Sequence, residues 1–142
     1  MNSQTGSTSA ESRYVAGVNA NKFAFNKELN VAFLERSYSQ NLQFGQKMFR
    51  IFLSTIDQDM EELSTAIYDN DYNSIKKITH KVKNNFTWVG LPILSSIMHK
   101  IEHAAKNNSN QVTALHEKFL ILFQNEYVLV KQEYERMSQY LG

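Results

Sequence analysis

The sequence predicts an all-α protein: an up-down-up-down four-helix bundle with a short N-terminal helix lying across one end. Three observations carry that expectation. Apolar residues recur at steps of three and four along most of the chain beyond residue 22. One proline and five glycines in 142 residues leave little to interrupt a helix. No segment alternates apolar and polar residues as a half-buried strand would.

The elements follow in order. Residues 1–22 are rich in Ser, Thr, Asn and Gly and read as a flexible leader or linker, native or in part a cloning remnant, ahead of a helical domain spanning 23–142. Asn26 is the expected N-cap of a short helix whose apolar side is Leu29, Phe33 and Leu34, ending near Ser37. From about Gln40, the residues Phe49, Phe52, Leu53, Ile56, Met60, Leu63 and Ile67 mark a long amphipathic helix ending at Asp69-Asn70-Asp71. Gly45 is expected to weaken its first turns, which would fray or bend. Asp71 caps the next helix at once, and so short a connection makes the two antiparallel neighbours. Gly90 is the expected left-handed terminator of that helix, and Pro92 suits the first turn of its successor. That helix buries Leu94, Ile97, Met98, Ile101, Ala104 and Ala105. After the loop Asn107-Asn108-Ser109-Asn110, a last helix runs from Gln111 to Leu141, with Val112, Leu115, Phe119, Leu122, Val130, Tyr134, Met137 and Leu141 inward.

Composition narrows the function. A net charge of +1 does not make the whole chain a polyanion binder, so electrostatics must act through local patches. The absence of cysteine excludes disulfides and thiolate metal sites and fits a reducing compartment. No apolar run reaches the roughly 18 residues that span a bilayer, and no secretory signal opens the chain, so a cytoplasmic protein without membrane contact is expected. Aromatic residues follow core spacing rather than interleaving with basic ones, which argues against nucleic acid. Trp88 falls at the edge of an apolar stripe and reads as packing. Glu61 and Glu62 are adjacent and face different sides, so they form no carboxylate pair. Gly-rich phosphate loops and serine nucleophile motifs are absent.

The stretch 75–90, IKKITHKVKNNFTWVG, carries the chemistry. Ile75, Ile78, Val82, Phe86 and Val89 form its buried face, and at about 100° per residue His80 lies roughly 160° from the centre of that stripe. The imidazole should therefore meet solvent. Lys76, Lys77, Lys81 and Lys83 collar it, with Asn84 and Thr87 on its own side. A neutral imidazole nitrogen is a nucleophile toward phosphorus, and nearby cations favour the neutral ring while offering charge to phosphoryl oxygens. In an arbitrary helix such a histidine is more often part of a solvated face. Lys83, as an exposed charge, is expected to contribute about 1 kcal/mol or less to stability.

Thr79-His80-Lys81-Val82-Lys83, followed by Gly90 ten positions after the histidine, resembles the signature of histidine-containing phosphotransfer (HPt) domains. Phe25-Asn26 opening the first helix, the acidic loop before the His80 helix and the run from Leu94 to Glu102 also sit where that family puts them, and the likeness extends from about Phe25 to Tyr134. The resemblance implies a monomeric phosphorelay intermediate that takes a phosphoryl group from a receiver-domain aspartyl phosphate onto the outer ring nitrogen of His80 and passes it to another receiver. Lys83 would steady the phosphoryl group and the docked receiver; Asn84, Lys76, Lys77, Lys81, Thr87 and Gly90 would support or dock. Partners would be response-regulator receivers or a hybrid histidine kinase. The chain would have no cofactor, metal or nucleotide-dependent kinase activity of its own, Mg²⁺ belonging to the receiver. Asn84 departs from the family's usual Gly, and its side chain either narrows access to His80 or donates a hydrogen bond.

Three alternatives are open to the same residues. His99 and His103 at i and i+4, with His116 nearby, have spacing that can chelate a divalent metal, but Glu102 is expected to point to one side. A histidine-kinase dimerisation helix would want an acidic residue after the histidine, where Lys81 stands. A non-catalytic adaptor of the same shape would bind receivers without accepting phosphate, and Asn84 is the feature that favours it.

Overall fold

A computed structural model describes residues 22–142, so residues 1–21 of the expected leader lie outside the described residues. Five helices and no strand occur among the described residues: α1 (Val31–Tyr38), α2 (Leu42–Tyr68), α3 (Tyr72–Trp88), α4 (Pro92–Lys106) and α5 (Gln111–Leu141). α3 packs on α2 and α4, α5 packs on α2 and α4, and α1 rests on α2. Gln46 of α2 meets Ser138 of α5, and Ser64 meets His116, so these two helices run in opposite directions.

Local chemistry sets the boundaries. Asn41 accepts a hydrogen bond from the Phe44 amide at 3.1 Å and starts α2. Asp71 does the same for α3, its two oxygens accepting from the Ser74 amide and hydroxyl. Gly90 adopts φ +80 and stops α3, while Pro92 opens α4. Asn70 and Asn108 take left-handed φ in the α2–α3 and α4–α5 turns, a conformation asparagine accepts more readily than most residues.

The start of α1 differs from expectation. Asn30, not Asn26, is the N-cap, its side chain accepting from Phe33 N at 3.2 Å. Asn26 instead makes a local turn, its side chain accepting from Glu28 N while its own amide donates to the buried Glu133 carboxylate at 2.8 Å. Arg136 pairs with Glu133 and donates to the Ala24 carbonyl, and its guanidinium lies over the Phe23 ring. Asn30 N then donates to Gly90 O at 2.9 Å. Residues 23–30 are thus a non-helical strap, with one turn at Asn26–Leu29, tying α5 to the α3–α4 turn. Burying Phe25 and Leu29 there outweighs adding another helical turn.

Gly45 lies within α2, which is continuous from Leu42 to Tyr68. It is buried within the helix, and a Cβ there would fall 2.8 Å from Cγ of Tyr38. The glycine admits the Tyr38 ring, whose hydroxyl donates to Trp88 O at 2.8 Å and whose ionisation burial pushes up to about 12. Inside the bundle Phe86 stacks edge-on against Phe52 and Phe119 with centroids 5.5 and 5.6 Å away. Such a residue fixes the rotation of α3, since exposing one Phe side chain costs about 1.5–3 kcal/mol. That rotation puts His80 outside.

Candidate functional site

With Ile75, Thr79, Val82 and Phe86 buried, the opposite face of α3 turns outward and the His80 side chain is 68% exposed. One ring nitrogen is not free. Nδ1 of His80 lies 2.9 Å from Oε2 of Glu102, which comes from α4 and is 7% exposed. The other oxygen of Glu102 accepts from Lys83 Nζ at 2.7 Å. His99 Nδ1 stands 4.0 Å from that same oxygen. The carboxylate is therefore the hub of the site. It fixes Nδ1 as the protonated nitrogen of the neutral ring and leaves Nε2 with no partner among the described residues.

Burial alone would push the Glu102 carboxyl up. The hydrogen bonds from Lys83 and His80, with their charges, outweigh it and hold the group below the usual carboxylate range. Glu102 is thus an anion at neutral pH.

The expected ring of free lysines needs correction. Lys83 is only 21% exposed and bound to Glu102, so it is no loose surface charge. Lys81 turns to α2, where its ammonium meets Asp59 at 2.8 Å; that bond, against the opposing effect of burial, raises Lys81 above the ordinary lysine range. The second oxygen of Asp59 is buried without a partner among the described residues. Lys76 is half-buried and Lys77 exposed. A carboxylate, not a uniform positive field, is in direct contact with the imidazole.

Asn84 is exposed one turn beyond His80, and its amide makes no side-chain hydrogen bond among the described residues. Thr87 lies in the α3–α4 seam, where its hydroxyl donates to Ser95 Oγ at 3.0 Å, and Ser95 donates to the Lys83 carbonyl at 2.7 Å. These bonds fix α4 against α3 and with it the height of Glu102. Gly90 is ten residues from His80, about 15 Å along the helix, and serves the turn and the strap. Trp88 is 43% exposed, so it packs less than its place at the stripe edge suggests.

The histidine cluster does not assemble. His116 is buried against Phe119 and Ser64, with burial pushing its pKa down, while His99 and His103 line a cleft with Lys100 and Leu115. No group of three His, Asp, Glu or Cys positioned for a metal occurs among the described residues.

Glu102 is the residue that sequence reasoning set aside. The signal for it lay in its spacing: it falls four after Met98 and three before Ala105, inside the buried stripe of α4. An acidic side chain in such a stripe requires a partner across the interface.

A helical scaffold that holds one exposed imidazole by a single nitrogen belongs to the class of proteins that present a histidine rather than enclose a substrate. The Hpt domain model matches residues 47–140, well over half of the chain, and the chain belongs to the Hpt domain family of phosphorelay histidine-phosphotransfer domains. The matched span starts inside α2 and reaches the end of α5, so the strap and α1 fall outside it. No curated protein and no solved structure matches the chain. No helix among the described residues is long and apolar enough to cross a membrane.

Proposed function

We propose that the chain is a phosphorelay intermediate that carries a phosphoryl group on Nε2 of His80, accepting it from a receiver-domain aspartyl phosphate and giving it to a second receiver. The observation that carries this reading is the His80 Nδ1–Glu102 contact at 2.9 Å, with the remainder of the ring in solvent. Glu102 holds the proton on Nδ1, so the lone pair sits on Nε2. That pair attacks phosphorus, the P–O bond to the receiver aspartate breaks, and the aspartate leaves with the bonding electrons as a carboxylate. The ring, now bonded at Nε2 and protonated at Nδ1, gains a positive charge that Glu102 faces directly. Reversal uses the same groups.

Lys83 serves the phosphoryl oxygens from its place one turn beyond His80. Lys76, Lys77 and Asn84 belong to the docking face. Lys81, Thr87 and Gly90 support it indirectly, through Asp59, the α3–α4 seam and the α3–α4 turn. The Mg²⁺ that receivers use would be supplied by the partner's acidic pocket, and the chain would need no cofactor of its own. The reading includes a monomer in the cytoplasm, and it arranges α2 to α5 up-down-up-down with α1 across one end.

The test is transfer from a phosphorylated receiver, read as acid-labile, base-stable label on the chain. The account expects label on the wild type and none on His80→Gln. Equal labelling of both would sink it. Receiver binding without label on the wild type would favour the adaptor.

A further inference from the structure

We infer that His99 is a positioning residue that takes over Oε1 of Glu102 when Lys83 leaves it for the phosphoryl group. The inference rests on the phosphotransfer reading of His80. In the resting site each oxygen of Glu102 has one donor: Oε2 has His80 Nδ1 and Oε1 has Lys83 Nζ. A phosphoryl group on Nε2 lies across the ring from Glu102, so the Lys83 ammonium must swing outward to meet it. That swing strips Oε1 of its donor on a carboxylate that is 7% exposed, where water replaces the lost bond poorly.

One side chain is placed to fill the gap. His99 sits three residues before Glu102 on α4, its Nδ1 is 4.0 Å from Oε1, and it is 70% exposed. A shift of about 1 Å would bring that nitrogen within hydrogen-bond distance. Little packing holds the ring in place, because most of it lies in solvent. No hydrogen bond breaks when it moves, since the His99 side chain makes none among the described residues. His99 would thus lower the cost of releasing Lys83 without touching the phosphoryl group.

The experiment uses the full chain with ring-¹⁵N-labelled histidine, together with Lys83→Ala, His99→Leu and His99→Gln. Lys83→Ala empties Oε1 without any phosphorylation, so its His99 Nδ1 resonance should move to a hydrogen-bonded position at rest, while in the wild type it moves only after phosphoryl transfer. His99→Leu should accept phosphoryl about three- to tenfold more slowly, the loss of one hydrogen bond to a carboxylate from an exposed, screened donor, with the melting temperature within about 1 °C of wild type. His99→Gln, which keeps an N–H donor, should recover most of the rate. A His99 resonance indifferent to the loss of Lys83 overturns the inference. Wild-type transfer by His99→Leu overturns it too. Absence of label on the wild type would instead refute the phosphotransfer reading, and the Lys83→Ala spectrum would still decide the His99 contact.

Discussion

Replacing Glu102 with Gln removes one charge from a buried position and keeps the shape. The carboxylate accepts bonds of 2.9 Å from His80 and 2.7 Å from Lys83. A hydrogen bond to a charged group contributes about 1.5–3 kcal/mol net, but the mostly exposed His80 is screened and its bond counts for about 1 kcal/mol or less. Gln still accepts one bond and presents an N–H to the other donor. The expected loss is about 2 kcal/mol at pH 7, roughly 5–8 °C in melting temperature for a chain of this size. The pH dependence is specific. Glu102 titrates below its unfolded value, so its stabilisation is fully present above about pH 4.3 and is lost as pH falls through the folded-state pKa. Denaturation of both proteins at pH 7 and pH 3 should therefore show a gap that narrows in acid. Phosphoryl transfer should slow about 10- to 100-fold, one charge-assisted bond lost from the transition state. An undiminished gap at pH 3, or wild-type transfer by a folded Glu102→Gln, would refute the role given to this carboxylate.

Lys83→Ala should destabilise the fold by about 1–3 kcal/mol, more than an exposed lysine would, because it removes the ion pair of a buried carboxylate oxygen, a loss that a His99 hydrogen bond offsets only in part. Urea denaturation checks this, and a midpoint equal to wild type would contradict the Lys83–Glu102 pairing. Gly45→Ala, ordinarily a gain of about 1 kcal/mol in a helix, should instead lower the melting temperature, since the new Cβ meets the Tyr38 ring at 2.8 Å and overpacking costs about 1–3 kcal/mol. A stabilised variant would show that the Tyr38 ring yields easily.

The helices and the outward face of His80 could be read from the chain because both follow from periodicity within one segment. Ile75, Val82 and Phe86 repeat at helical steps, and the rotation they impose exposes the imidazole whatever lies opposite. Partnerships between segments were not readable in the same way. Lys81 and Lys83 are two residues apart and look equivalent, yet one turns to Asp59 on α2 and the other to Glu102 on α4. Which carboxylate meets which lysine depends on helix rotation and height, set by contacts such as Ser95 with the Lys83 carbonyl. Asn26 and Asn30 compete on equal local terms for the start of α1; the buried Glu133, more than a hundred residues away, decides between them. Gly45 likewise has no local meaning until Tyr38 is placed beside it.

The most direct measurement is the site of phosphorylation on the ring of His80 after incubation with a phosphorylated receiver, read from ³¹P–¹⁵N coupling in the labelled protein. A nitrogen held by Glu102 cannot attack, so coupling to Nε2 is expected. Coupling to Nδ1, or a folded protein with no phosphorylated histidine at all, would contradict the account.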